Sequence, residues 1–450
     1  MPLSPEENKN DTLANTDFIS EKIKQRPINR KKLLRRTVIT VSLAVVFGMV
    51  ACLTFLVLQP VFTDTLYPEK EPEKISFPEE TPSEELTPEE MFKDDNQIAA
   101  SEALSLEESQ KDQIDQAIAS YPFDSYDYEK MMYSLRQVTA NVEKNIVKVT
   151  AVSNDSNWFT DSYETKGSTS GLIVADNGAY LYILVPSSTV SGAESIGVTF
   201  CDGATATADI SLSDTITGQC VLTVRRTQLT DGTRKTIAPA ELGSSSAGSL
   251  TGSPVIAVGS PVGIQDSIAY GIVTSEKSPL NLVDSCYKRI TTDIYGSSDA
   301  TGVLINLKGQ VIGIIDNSHN IDGMENQICG IGITELKSLI EDLSNARPRP
   351  YLGIHGATVP LSIQNKQNIP SGAYISSTEM GSPAMKAGLQ SGDIITSFNG
   401  YDINTYDHLI TRLVSCSPDD VVSITVMRQA PNEYIELNIE ATMTSSTTNE

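Results

Sequence analysis

Hydrolytic acyl transfer needs an attacking hydroxyl or thiol, a base to take its proton, and a group that orients the base. This chain of 450 residues is poorly stocked with bases, because its three histidines are His319, His355 and His408. Any mechanism that uses imidazole must draw on one of them. The six cysteines show no C-x-x-C pair of the kind a structural zinc site uses, so neither a metal nor a cofactor is expected. Five of them (Cys201, Cys220, Cys286, Cys329, Cys416) follow the apolar segment described below, and nothing in their spacing selects a disulfide over free thiols. With 33 basic and 57 acidic side chains the net charge is −24, which argues against a nucleic-acid partner, since phosphate neutralisation needs a basic face.

The elements that must position these groups follow from how charge and apolar residues are distributed. Residues 1–36 carry nine Lys and Arg against five acids and read as a basic cytoplasmic tail. Thr37–Leu58 contains no charge in 22 residues. As a helix it would be about 33 Å long, enough for the hydrocarbon layer. Basic residues before it and acidic residues after it orient a single span with its N-terminus in the cytoplasm and the rest of the chain outside the plasma membrane. Residues 59–130 read as an acidic Pro/Glu-rich stalk, because recurrent Pro and dense charge leave too little apolar surface to offset ordering entropy. From about Met131 short β-branched runs alternate with Gly, Ser, Asn and Asp, as in Ile146-Val147-Lys148-Val149 and Gln310-Val311-Ile312-Gly313-Ile314-Ile315. That pattern predicts a barrel or sandwich. Thr334–Leu343 alone reads as a helix there, and Pro348 and Pro350 close the unit.

Several of these stretches resemble one family. Ser253–Ser275 (SPVIAVGSPVGIQDSIAYGIVTS) is similar to the segment that HtrA/DegP-type serine proteases, which are trypsin-like enzymes, place before their catalytic serine. Asn306–Ile314 resembles the strand pair after that serine, Gly330-Ile331-Gly332-Ile333 the end of the domain, and Gly192-Ala193 through Asp202-Gly203 the stretch after the catalytic histidine. The resemblance implies a chymotrypsin-like double β-barrel over 131–347. Carried over by position, it puts the histidine site at Ser188, the aspartate site at Gly218 and the nucleophile site at Ala300. The oxyanion-hole positions become Ser298 and Ala300, with Asp299 between them. None of the three triad roles is filled, and loss of a triad costs on the order of 10⁶ in turnover.

Tyr351–Thr442 resembles the PDZ domain that follows such protease domains, predicting a small α+β unit over 350–443. The specific match is Gly381-Ser382-Pro383-Ala384-Met385-Lys386-Ala387-Gly388-Leu389-Gln390-Ser391-Gly392-Asp393-Ile394-Ile395, in which Ser382 suits a cap, Pro383 the first helical turn and Gly388 the exit. Asn399-Gly400 reads as a tight turn, and Tyr406–Ser415 as the helix that walls a groove. The resemblance makes the amides of Leu352, Gly353 and Ile354 the receptor for a peptide carboxylate, with His408 near the start of the wall helix.

Mainly β architecture, one membrane span, an acidic spacer, an empty protease site and a PDZ domain together indicate a membrane-anchored extracytoplasmic scaffold or sensor in envelope protein quality control. Its ligands would be C-terminal or unfolded peptides, and homo- or hetero-oligomers, trimers by family habit, with HtrA-type proteins are implied. The competing reading is an active serine endopeptidase with rearranged residues, Ser297 or Ser298 supplying the hydroxyl.

Overall fold

The structure, a computed structural model, describes residues 35, 38–50, 54, 73–78, 124–153 and 164–448, the last stretch without 247, 321, 322, 368 and 432. Two compact units divide the chain, Met1–Glu71 and Pro72–Glu450. In the first, residues 38–50 are helical with exposed apolar side chains such as Leu43 and Phe47. Among the described residues no helix is long and apolar enough to cross a membrane. Residues 37, 51–53 and 55–58 of the span expected at 37–58 lie outside the described residues, as does most of the expected stalk.

The second unit opens with α1 (Ser125–Val142), which starts inside the stretch read as stalk. Asp124 caps it, accepting bonds from the amides of Tyr126 at 2.8 Å and Asp127 at 3.1 Å, while the Asp127 carboxylate accepts the Asp124 amide at 3.2 Å. This is a capping box built from two aspartates. Upstream, Ile75 and Phe77 pack against the core of the unit, and the Ile75 amide donates to the Asn345 side chain at 3.0 Å. That piece of the expected spacer is therefore held against the barrels.

Strands β1 (Ile146–Ser153), β2 (Glu164–Asp176), β3 (Tyr180–Pro186), β4 (Ser195–Thr199), β5 (Thr205–Asp214) and β6 (Gln219–Arg225) run in the order β5-β4-β1-β2-β3-β6, and pairing of β5 with β6 closes them into a barrel. The short helix α2 (Ser187–Val190) follows β3, and α3 (Asp231–Thr236) follows β6. A second closed barrel contains β7 (Pro254–Ser260), β8 (Ser267–Leu282), β9 (Ser285–Tyr295), β10 (Thr301–Ile305), β11 (Val311–Ile315) and β12 (Gln327–Gly332) in the order β10-β11-β12-β9-β8-β7. All pairings in both barrels are antiparallel. Helix α4 (Ile333–Ser344) then closes the double barrel.

Two-sided burial explains the continuous apolar runs. In β3, Leu181, Ile183 and Val185 point into the first barrel, while Tyr182 and Leu184 face the second. In β7, Val255 and Ala257 fill the second barrel, and Ile256 and Val258 meet the first. Leu336, Leu339, Ile340 and Leu343 of α4 join that shared layer at helical spacing. Where β10 crosses β7 there is no room for a side chain, because a Cβ on Gly302 would lie 2.1 Å from the Val258 carbonyl oxygen.

The C-terminal unit comprises β13 (Pro350–Tyr351), β14 (Ile354–Thr358), α5 (Leu361–Gln367), β15 (Ala373–Thr378), α6 (Pro383–Ala387), β16 (Ile394–Phe398), β17 (Tyr401–Asp402), α7 (Tyr406–Val414), β18 (Val421–Gln429) and β19 (Tyr434–Thr442). Its sheet runs β14-β15-β16-β18-β19 with β17 on β16. Ser382 caps α6 by accepting the Met385 amide at 3.1 Å, and Gly388 leaves it at φ +92. Asn399 and Gly400 both have positive φ, as the tight turn requires. Two further strands, β20 (Thr444–Ser445) and β21 (Thr447–Thr448), pair with β13 and with β5 of the first barrel, tying the C-terminal unit back to it.

Candidate functional site: the barrel seam and a filled carboxylate cradle

The positions singled out in the sequence gather around the seam between the barrels. Ser188 is exposed on α2, and the amide of its neighbour Ser187 donates to the Gly218 carbonyl at 2.8 Å, so these two segments are adjacent. Gly218 ends the β5–β6 turn at φ +66, in the left-handed region. Asp214, at the start of that turn, is buried and accepts bonds from the Thr217 amide at 2.9 Å, the Thr217 hydroxyl at 2.7 Å and the Ser446 hydroxyl at 3.1 Å. Its carboxylate is used in holding the turn. Across the seam, Ala300 is 6% exposed at the entry to β10, and the Thr301 hydroxyl accepts the Ser170 amide of β2 at 3.2 Å. Pro186, Gln219 and Gly302, close in sequence to Ser188, Gly218 and Ala300, line one gap of about 10 Å³, room for about one water.

An oxyanion site needs free amides that converge on one point. The Ala300 amide is instead donated to the Ser297 carbonyl at 3.2 Å, and the Asp299 amide to the Ser297 hydroxyl at 3.2 Å. Ser298 is exposed and its hydroxyl donates to Asp299 at 3.3 Å. Asn317 adds a second bond to the Ser297 carbonyl at 2.8 Å, so the loop is folded onto itself. The imidazole nearest in sequence, His319, has its Nδ1 3.1 Å from Asp316 and 2.9 Å from the Ser318 hydroxyl. The hydrogen bond to Asp316 holds the imidazole pKa above its ordinary value against the effect of partial burial. Those contacts are local to the 316–319 turn.

The other site is occupied from within. The amides of Leu352, Gly353 and Ile354 converge on Asp284, a residue that no sequence motif singles out. Oδ2 of Asp284 accepts the amides of Leu352 and Gly353, both at 2.7 Å, and Oδ1 accepts that of Ile354 at 2.9 Å. The Asp284 amide in turn donates to the Ile354 carbonyl at 2.9 Å. Asp284 sits in the two-residue turn Val283-Asp284 between β8 and β9 at φ +50, a conformation that aspartate tolerates better than most residues. It is 4% exposed. Burial pushes its carboxyl up to about 6, against the opposing pull of the three amides and the charge of His355. His355 itself lies 2.7 Å from Glu379. His408, by contrast, is exposed on α7, and the residues of that helix facing the neighbouring cavity are Asp407, Ile410, Thr411 and Val414. That cavity, about 980 Å³, is closed on its other side by Glu276, Lys277, Lys288 and Glu335 of the second barrel and α4. Cys201, Cys220, Cys286, Cys329 and Cys416 are all free thiols.

Residues 169–314 match the family model of the trypsin-like peptidase domain, and residues 330–439 that of the PDZ domain. A trypsin-like barrel pair followed by a PDZ domain is the order of parts these two matches give. The chain is 30% identical over 299 residues to a serine protease Do-like HtrA of Bacillus subtilis (strain 168), covering 61% of this chain and 63% of that protein. It is 30% identical over 297 residues to a probable periplasmic serine endoprotease DegP-like of Hahella chejuensis (strain KCTC 2396), covering 63% and 60%. The chain thus spans less than two thirds of the length of these curated relatives. A solved structure of the HtrA-type protease AlgW with a decapeptide shares the fold, with TM-score 0.50, 18% identity, and coverage of 69% of this chain and 98% of that one.

Proposed function

We propose that this is a membrane-anchored pseudoprotease of HtrA/DegP architecture, which works outside the membrane as a peptide-binding scaffold or sensor through its PDZ domain. One observation carries the reading: the positions that the resemblance assigns to the triad hold Ser188, Gly218 and the buried Ala300, and the Ala300 amide is bonded to Ser297. Ala300 offers no attacking atom, Ser188 and Gly218 offer no base near neutral pH, and the Ala300 amide is not free to serve as an oxyanion donor. Peptide binding is supported by the converging amides of Leu352, Gly353 and Ile354, the arrangement that receives a terminal carboxylate in strand-addition recognition. Anchoring is supported by the uncharged 37–58 segment and the charge on either side of it. Association with its own copies or with intact HtrA-type proteases is supported by the exposed Tyr126, Tyr128 and Tyr133 of α1.

The full chain in detergent should leave casein uncut and take no label from a fluorophosphonate serine probe. Labelling that disappears in Ser297→Ala or Ser298→Ala would instead establish an endopeptidase with rearranged residues. Anchoring requires the protein to stay with membranes through alkaline carbonate washing, and release by the wash would reject it.

A further inference from the structure

We propose that Asp284 is the protein's own ligand for the PDZ carboxylate cradle, so that a peptide C-terminus binds only by displacing the β8–β9 turn. This rests on the reading above that the cradle receives C-terminal peptides. The geometry is that of a bound ligand. A terminal carboxylate in such a cradle takes the three loop amides, and the same residue's N–H pairs with the strand edge. Asp284 makes all four of these bonds with one residue: three amides into its side-chain carboxylate, and its own N–H into the Ile354 carbonyl. No amide of the cradle is left for a second carboxylate, and two carboxylates at this spacing would repel strongly.

The surroundings make the turn a fitted occupant. Val283-Asp284 is the tip of the hairpin formed by β8 and β9, so the carboxylate is presented at the end of a protruding element of the second barrel. Cys286, two residues on, packs against the apolar core of the PDZ domain. The groove therefore receives both a carboxylate and a small apolar side chain from this hairpin, the two features a short peptide would bring. Asp284 also holds a left-handed conformation that most residues avoid.

Displacement sets what an incoming peptide must do. Its apparent affinity equals the intrinsic affinity multiplied by the fraction of molecules in which the cradle is free. Removing the internal carboxylate raises that fraction without touching the cradle. Binding of peptide and docking of the hairpin then exclude each other, so peptide occupancy is read by the second barrel as release of its β8–β9 turn.

The test uses the full chain in detergent and a dye-labelled octapeptide pool, randomised except for a C-terminal valine with a free carboxylate, with the same pool ending in a carboxamide as control. Binding is followed by fluorescence polarisation, and hydrogen exchange is followed at the amides of Leu352, Gly353 and Ile354. Asp284→Gly removes the carboxylate and relieves the positive φ, and Asp284→Ser keeps a short polar side chain that cannot span the cradle. In either variant the carboxylate pool should bind at least tenfold more tightly than to the native chain, and the three amides should exchange at least tenfold faster. Equal pool affinity in native and variant chains would overturn displacement alone and leave peptide binding standing. Faster exchange in the variants with no pool binding to any form would overturn the peptide-binding reading and displacement with it. Equal exchange would remove Asp284 from the cradle in solution.

Discussion

At the scale of single residues, the proposed loss of catalysis rests on several positions at once, and this makes a prediction about rescue. Ala300→Ser alone should restore no cleavage of casein, because Ser188 offers no imidazole and the amide needed at the oxyanion position is bonded to Ser297. Gly218→Asp would place a carboxylate at a residue with φ +66, at a cost of about 1 kcal/mol of backbone strain, read as a lowered melting temperature. Detectable cleavage by Ala300→Ser would mean that some other group serves as base. Asp284 gives a second, pH-dependent expectation. Its carboxyl is raised by burial to about 6 in the docked state, against about 3.9 when solvated. The docked state thus binds a proton more readily, so this contribution to stability is fully present below about pH 4 and lost as the pH rises through 6, on the order of 3 kcal/mol in all. The groups facing it are His355 and Tyr351 from the cradle, Tyr406 from α7, Arg349 from the connection, and Asp214 and Tyr287 of the two barrels, which line the same gap. Subtracting the melting curve of Asp284→Gly from that of the native chain between pH 4.5 and 7.5 isolates the term. A difference that stays flat or grows with pH would contradict it.

At the scale of elements, the motif that made the PDZ domain readable also supplies its internal support. Asp393, 1% exposed, accepts Nε of Arg428 at 2.6 Å and Nη2 at 2.7 Å, joining the turn after α6 to β18. Its Oδ2 also accepts the Gln390 amide at 2.9 Å. Asp393→Ala should cost about 3 kcal/mol, since it strips a buried partner from a partly exposed guanidinium and leaves an amide unpaired, and calorimetry of the C-terminal transition would read the loss. These elements were legible because their signals are local: the cap at Ser382, the exit at Gly388, the apolar spacing of Leu409 and Leu413, and the short apolar run of β7. Helix α1 was not, because its Tyr126, Tyr128, Met131 and Tyr133 are exposed and its buried residues are confined to Thr139 and Val142 near one end. The cradle residues could be found from sequence, but their occupant could not. Asp284 is 68 to 70 positions away from the amides it binds, in a hairpin tip whose composition marks only a turn.

At the scale of the whole second unit, the PDZ domain is held to the barrels at two separate places, and their coupling can be tested. One is the Asp284 turn in the cradle. The other is the C-terminal pair of strands: β20 on β13 and β21 on β5, with the Ser446 amide donating to the Arg349 carbonyl at 3.1 Å and the Ser446 carbonyl accepting the Thr215 amide at 3.1 Å. Arg349 itself is fixed by Asp342 and Tyr287, so the connecting segment has little freedom of its own. Ser446→Pro removes the first of those bonds and disturbs the short ladder, whereas Asp284→Gly frees the cradle. Because either attachment keeps the other at high effective concentration, each single change should leave most molecules docked. The double variant should undock, so that its radius of gyration by X-ray scattering exceeds the native value by more than the two single increases combined. Additive increases would mean that the two attachments act independently, and that release of the Asp284 turn by a peptide leaves the tail's hold on the PDZ domain unchanged.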